Sequence, residues 1–202
     1  MLGLYHIFAI MQLMKIAVLG GSFDPPHIGH YLVIQQILEL RKDITKILLV
    51  PAYKHQWKPA FASVNERATM LQSLTSSQVE ISDIEIKRQG ISYTIDTIKE
   101  LKKQTKAQIY WIVGSDIIAE FERWEKKDAL VEEATFLVFP RDPYHLPKEL
   151  PKGFECITAD RLITTSISST VVRQRIKEGK PITHLVSSEV EQFIRQHTLY
   201  QT

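Results

Sequence analysis

The sequence predicts a doubly wound α/β fold: a parallel sheet with helices on both faces and a small helical portion at the C-terminus. Three observations predict it. Four short segments, residues 15–19, 46–50 (KILLV), 109–113 (IYWIV) and 135–139 (TFLVF), are apolar almost throughout, as strands covered on both faces are, whereas strands with one wet face alternate. Between them the apolar residues recur at helical spacing. Each run also stops at a glycine or proline, at Gly20, Pro51, Gly114 and Pro140. Strands separated by helices pair in parallel, which gives a Rossmann-like layered sheet.

Taken in order, the period changes from 2 to 3.6 near residue 29, where Val33, Ile37 and Leu40, with Ile34 and Leu38 beside them, share a helix face. Ser63 and Glu66 have the spacing of a capping box ahead of a helix that carries Met70, Leu71 and Leu74. Residues 79–86 read as extended. Residues 94–103 read as a helix with Ile95, Ile98 and Leu101 inward and lysines outward. A helical stretch follows Gly114 to about Ala134. Residues 140–153 hold four prolines and read as a loop, and 154–159 as extended. Helices are expected over 169–178, ended by Gly179-Lys180-Pro181 with Ser169 or Thr170 as cap, and over 189–196.

A chain of 202 residues, 44% hydrophobic and 24% charged, has the composition and length of one globular domain. The net charge is only +2 and the basic residues are scattered, which argues against a nucleic-acid partner. Cys156 is the single cysteine, so no internal disulfide forms and a reducing cytoplasm is expected. Cys156 itself reads as a small strand residue rather than a nucleophile. Residues 1–14, MLGLYHIFAIMQLM, are apolar but shorter than the ~20 residues that span a bilayer. They also lack a charged start and a small-residue cleavage site, so neither membrane nor export is expected. Because Met14 directly precedes the first strand, residues 1–13 read as an upstream extension and 14–202 as a single domain.

In such sheets ligands bind beyond the carboxyl ends of the strands, which places residues 20–30, 51–58, 114–116 and 140–141 along one edge. The first of these stretches reads GGSFDPPHIGH. Gly20 and Gly21 let the chain turn sharply and bring bare N–H groups close to a ligand. The helix starting near His27 and His30 adds its free N–H groups and positive end, which together make an anion site. The imidazoles share one face of the first turn, where each donates to phosphate oxygens, more strongly when protonated. Gly29 keeps bulk away beside His30. Asp24, held extended by the proline after it, is either a turn acceptor or part of the site. The spacing is neither a dinucleotide fingerprint nor a Walker loop. His27 and His30 lack a third ligand nearby, so no metal site is assigned. The second motif is ISSTVVR. One of Ser168, Ser169 and Thr170 suffices to cap a helix; three hydroxyls with Arg173 beside exposed N–H groups fit a polyphosphate.

GGSFDPPHIGH followed by ISSTVVR, about 140 residues on, resembles the HxGH nucleotidyltransferase superfamily, whose members transfer a nucleotidyl group from a nucleoside triphosphate and release pyrophosphate. RQGISYTIDTIKEL (88–101), IVGSDIIAEFERW (112–124), FPRDPY (139–144) and FIRQHTLY (193–200) narrow the resemblance to the nicotinate-nucleotide adenylyltransferases, from roughly residue 15 to the end. It implies attack by the phosphate of nicotinate mononucleotide on the α-phosphorus of ATP, giving deamido-NAD and pyrophosphate with Mg²⁺ carried on the ATP. Such transfers need chiefly alignment and charge stabilisation.

The resemblance also implies roles. His27 and His30 steady the α- to γ-phosphates, and with Lys58 and Arg173 form the catalytic set. Gly20, Gly21, Ser22 and Phe23 lie against ATP; Ser168, Ser169, Thr170 and Arg173 hold its outer phosphates; Asp116 takes the adenosine ribose, with Gly114 and Ile167 beside it. On the acceptor side Tyr93 and Thr94 meet the nicotinate carboxylate through backbone N–H groups, Trp124 stacks on the pyridine, and Lys58 and Arg141 meet phosphate. The family has His before the lysine where this chain has Trp57; His55 is the substitute. Rival acceptors are phosphopantetheine and nicotinamide mononucleotide, and SYT with Trp124 favours nicotinate. A cytidylyltransferase is disfavoured because an RTxGISTS-type second motif is absent. A non-catalytic nucleotide sensor would have no need to keep His27, His30, Lys58 and Arg173. Homo-oligomerisation stays open.

Overall fold

In the computed structural model, which describes residues 14–201, six strands form one sheet: β1 (Lys15–Gly21), β2 (Lys46–Pro51), β3 (Val79–Ile81), β4 (Gln108–Gly114), β5 (Thr135–Phe139) and β6 (Phe154–Cys156). The strand order is β3-β2-β1-β4-β5-β6, and every neighbouring pair is parallel. From β1 the chain winds outward to β3 and then returns to lay β4 on the other side of β1. The connections therefore diverge between β1 and β4, which leaves a crevice at their carboxyl ends. The expected extension at 1–13 lies outside the described residues.

Alternation along the strands explains the two cores. Ile16, Val18, Leu48, Val50, Ile109 and Trp111 point to one face, with Ile95, Ile98 and Leu101 of α4 (Thr94–Thr105) over them. Ala17, Ile47, Leu49, Tyr110 and Ile112 point to the other, under Ile34 and Ile37 of α1 (Ile28–Leu40). Period 2 with both faces covered makes every strand position apolar. A third cluster joins Met70 of α2 (Val64–Leu71) to Val172 of α7 (Ser169–Lys177) and to Val190 and Ile194 of α8 (Ser188–Gln196). The C-terminal helical portion thus packs on the main layer. Among the described residues no helix is long and apolar enough to cross a membrane.

Several elements differ from the sequence expectation. β1 runs on through Gly20 and Gly21, which pair with Val50 and Pro51 of β2. The glycines are thus extended, and the left-handed residue at the bend is Phe23, with φ 50°. Residues 79–86 are not one strand: after Ile81 the chain leaves the sheet and forms α3 (Ile84–Arg88). Neighbouring Ile84 and Glu85 are both buried, which a helical turn allows and an edge strand with one wet face does not. The extended piece at 154–159 is limited to β6, whose register covers only Phe136, Leu137 and Val138 of β5. The helical stretch after Gly114 divides into α5 (Asp116–Glu120), a 3₁₀ turn at Phe121–Arg123 and α6 (Lys127–Glu133), with left-handed Lys126 at the break.

Candidate active site

A cleft of about 410 Å³ opens at the carboxyl ends of β1, β2, β4 and β5. Its lining brings together Gly20, Gly21, Ser22, His27, His30, Lys58, Tyr93, Thr94, Gly114, Asp116, Trp124, Arg141 and Ile167 from across the sequence. Phe23, Ser168, Ser169, Thr170 and Arg173 are not part of the lining. Phe23 is buried, its ring against Gly21 and 4.9 Å from that of His30.

At the start of α1 the backbone N–H of His27 donates to Nδ1 of His30 at 3.1 Å. An Nδ1 that accepts leaves the proton of a neutral imidazole on Nε2. The two rings lie 3.8 Å apart between centroids. Nδ1 of His27 is buried without a partner. Burial, the His30 ring and the Arg141 guanidinium hold His27 far below the usual histidine range, and burial and Arg141 hold His30 down at about 3. Both rings are therefore neutral at pH 7 and act as neutral donors, not as imidazolium. Gly29 makes their placement possible: a Cβ there would sit 3.0 Å from Cε1 and Nδ1 of His27 and 3.3 Å from Cγ2 of Thr165.

Below the histidines the β1–α1 loop is tied down from three directions. The carboxylate of Asp24, 3% exposed, accepts from the N–H of Phe61 at 2.7 Å, the N–H of Ala62 at 3.1 Å and the hydroxyl of Tyr200 at 2.7 Å. Asp24 is thus an acceptor, but for groups 37, 38 and 176 residues away rather than for its own turn. Arg173 donates to the Asp24 carbonyl at 2.6 Å and to Oγ1 of Thr170 at 3.2 Å, with its guanidinium 4.4 Å from the Phe61 ring. Ser169 donates to the Pro25 carbonyl at 2.8 Å. The cap of α7 is Ser168, whose hydroxyl accepts from Val171 N–H at 3.3 Å, rather than Ser169 or Thr170. Ser169 is drawn away by the loop it holds.

At the mouth of β4, Asp116 pairs with Nη1 of Arg141 through Oδ2 at 3.0 Å, and its Oδ1 is buried without a partner. A Cβ on Gly114 would collide with that oxygen. Arg141 also donates to the Ile167 carbonyl at 3.4 Å, so residues expected on different substrates meet in one cluster. Across the cleft, Tyr93 precedes α4 with no side-chain cap, which leaves first-turn N–H groups at the lining. Half-buried Trp124 packs on Phe121 and Phe136 at 5.7 and 6.1 Å. Trp57 stacks under Arg123 at 5.0 Å, and its backbone N–H donates to Nδ1 of His55 at 3.1 Å. Burial and neighbouring Lys58 push His55 below its ordinary value. Among the described residues no three His, Cys, Asp or Glu side chains gather in a form that would ligate an ion.

A family model described as cytidylyltransferase-like matches residues 18–175. A probable nicotinate-nucleotide adenylyltransferase of Halalkalibacterium halodurans is 34% identical over 200 residues, 93% of this chain and 92% of that protein. One from Oceanobacillus iheyensis is 34% identical over 190 residues, 92% of this chain and 96% of its own length. The chain belongs to the nicotinate-nucleotide adenylyltransferase family. A solved structure of the Plasmodium falciparum nicotinic acid mononucleotide adenylyltransferase complexed with NaAD shares the fold, with TM-score 0.81, 24% identity and coverage of 93% of this chain and 97% of that one.

Within this family member, four buried polar residues shape the cleft without having been singled out from the sequence. Arg67, 1% exposed, donates to the carbonyls of Ser22 at 2.6 Å, Ala52 at 2.7 Å and Ala62 at 3.2 Å, which joins the ends of β1 and β2. Gln36 holds the segment at Ile163. Ser115 accepts from Arg141 N–H at 2.9 Å. Glu85 lines the cleft, accepts from Oγ1 of Thr97 at 2.6 Å, and burial pushes its carboxyl up. Two of these had a sequence signal: Arg67 is spaced with Met70 and Leu71, and Gln36 with Val33 and Leu40, so both stand on apolar helix stripes.

Proposed function

We propose that the protein transfers the adenylyl group of ATP to nicotinate mononucleotide, forming deamido-NAD and pyrophosphate, in the cytoplasm. The observation that carries the reading is the juxtaposition in one cleft of an anion-binding helix start bearing two neutral histidines and an uncapped second helix start beside Trp124. The attacking group is itself a phosphate oxygen, already ionised at pH 7, so no general base is needed. The task is alignment and neutralisation of charge. His30, with its proton on Nε2, donates to phosphate oxygens as negative charge moves toward the leaving pyrophosphate, and His27 acts beside it. Gly20, Gly21 and Ser22 border the phosphates. Lys58 contributes charge from the β2 loop and Arg173 from the start of α7, just outside the cleft lining, where Ser168, Ser169 and Thr170 add neutral hydroxyls. Asp116, with an unpaired buried oxygen, suits a ribose hydroxyl. Mg²⁺ would arrive on the ATP phosphates, because the carboxyl groups that line the cleft, on Glu85, Asp116, Glu120 and Glu125, do not gather in a form that would ligate an ion among the described residues.

Acceptor choice follows from donor chemistry. The N–H groups at Tyr93 and Thr94 satisfy a nicotinate carboxylate, an acceptor at both oxygens. A nicotinamide would turn its own N–H₂ toward them, two donors face to face, which penalises the wrong substrate. The test is pyrophosphate release from ATP and Mg²⁺ with nicotinate mononucleotide, nicotinamide mononucleotide or phosphopantetheine. Release is expected to be much the fastest with the nicotinate form; equal or reversed rates would sink the assignment.

A further inference from the structure

Residues 162–168 form a strap that lies outside any helix or strand and runs beside α1, with Ile163 at Gln36 and Thr165 near Gly29. Among the described residues, the backbone groups of 162–167 make no hydrogen bond to other backbone groups. Side chains hold the strap instead. Nε2 of Gln36 donates to the Ile163 carbonyl at 3.0 Å, and Oε1 of Gln36 accepts from the Ile163 N–H at 2.8 Å. One primary amide thus pairs with both backbone groups of one residue, as a neighbouring strand would. The remaining Nε2 hydrogen reaches the Leu32 carbonyl at 3.0 Å, so all the amide's donors are used on a face only 6% exposed. The other ties lie farther along: Thr164 to Asp142 at 2.7 Å and Arg141 to the Ile167 carbonyl at 3.4 Å.

We propose that Gln36, which does not itself line the cleft, is a positioning residue that seats the strap as the ATP-side wall of the cleft. Ile163, Thr165 and Ile167 of the strap line the cleft. Thr165 also approaches the backbone at Gly29, where its Cγ2 lies 3.3 Å from the place of a Cβ. The seating of the strap therefore bears on His27 as well as on the wall. Ile163 is 60% exposed, so its N–H and carbonyl turn to water when the amide is removed. The loss then falls on the order of the strap more than on the core. The inference rests on the proposed placing of ATP beside Ile167.

The experiment is steady-state kinetics of Gln36→Met, which keeps length and removes the amide, with Ile167→Ala measured beside it. KM for ATP is expected to rise about tenfold, the equivalent of two ordinary hydrogen bonds, while KM for nicotinate mononucleotide stays within about twofold. Gln36→Glu, which keeps the acceptor for Ile163 N–H and loses the donor, should move KM for ATP in the same direction and serves if the methionine variant does not fold. An unchanged KM for ATP, or an equal rise in both KM values, overturns the positioning role. If Ile167→Ala raises KM for ATP while Gln36→Met leaves it alone, the ATP placing stands and this proposal falls. If Ile167→Ala leaves KM for ATP unchanged, the placing fails and takes the proposal with it.

Discussion

At His30 one backbone N–H decides the chemistry. Because Nδ1 is occupied by His27 N–H, the ring presents Nε2–H without being charged, and burial keeps it so. His30→Ala removes a preorganised donor and should lower kcat by about 10²–10³ with the fold kept; turnover near wild type would show that the ring takes no part. The same variant reports on stability. With an ordinary value of 6.5 and about 3 when folded, the unfolded chain binds the extra proton between those limits. Wild-type stability therefore falls as pH drops below about 6.5, by up to about 1.4 kcal/mol per pH unit for this group. In urea titrations at pH 7 and pH 5, His30→Ala should lose about 2 kcal/mol less than wild type. Equal losses would mean that His30 protonates freely in the folded protein. The histidine pair stood out in the sequence because its residue types are rare beside glycines and prolines. Its neutrality did not, since neutrality depends first on burial by the folded chain and then on Arg141, more than 100 residues away.

At the scale of the element, legibility followed the length over which a pattern repeats. The central strands and α4 were readable because several turns or residues agree. The β3–α3 segment was not, because three strand residues and then five helical ones hold fewer than two periods of either kind. Local capping chemistry read well where it was reciprocal. Ser63 accepts from Glu66 N–H at 3.3 Å, and the Glu66 carboxylate accepts from Ser63 N–H at 2.7 Å. It read poorly at α7, where three adjacent hydroxyls offered three caps and the loop at Pro25 claimed one of them. Ser63→Ala should cost about 1 kcal/mol, a fall of roughly 2–4 °C in Tm for a chain of this size. Activity should persist, because Arg67 lies beyond the first turn of α2 and its carbonyl partners are untouched. A thermal midpoint equal to wild type would show that tertiary packing alone starts this helix.

Over the whole molecule, parallel pairing could be read from apolar strands, but not which strands neighbour one another. Nor could the pattern show that α7 and the C-terminus come back under the β1–α1 loop. That return is made of single long-range bonds with no local signature: Ser169 to Pro25, Arg173 to Asp24 and Tyr200 to Asp24. The last of these joins residues 176 apart in sequence, and it is buried at both ends. Burial and the Asp24 carboxylate push the Tyr200 hydroxyl well above its ordinary value, so it stays a donor throughout the neutral range. Tyr200→Phe keeps the ring in its cluster with Val190 and Ile194 and removes only the hydroxyl. Oδ1 of Asp24 is then left with Ala62 N–H alone. A hydrogen bond to a charged group contributes about 1.5–3 kcal/mol, and the variant should lose that much in urea unfolding. The slope m should stay as in wild type, since the surface exposed on unfolding is nearly the same. A variant as stable as wild type would mean that the ring's packing, and not the bond to Asp24, holds the C-terminus against the β1–α1 loop.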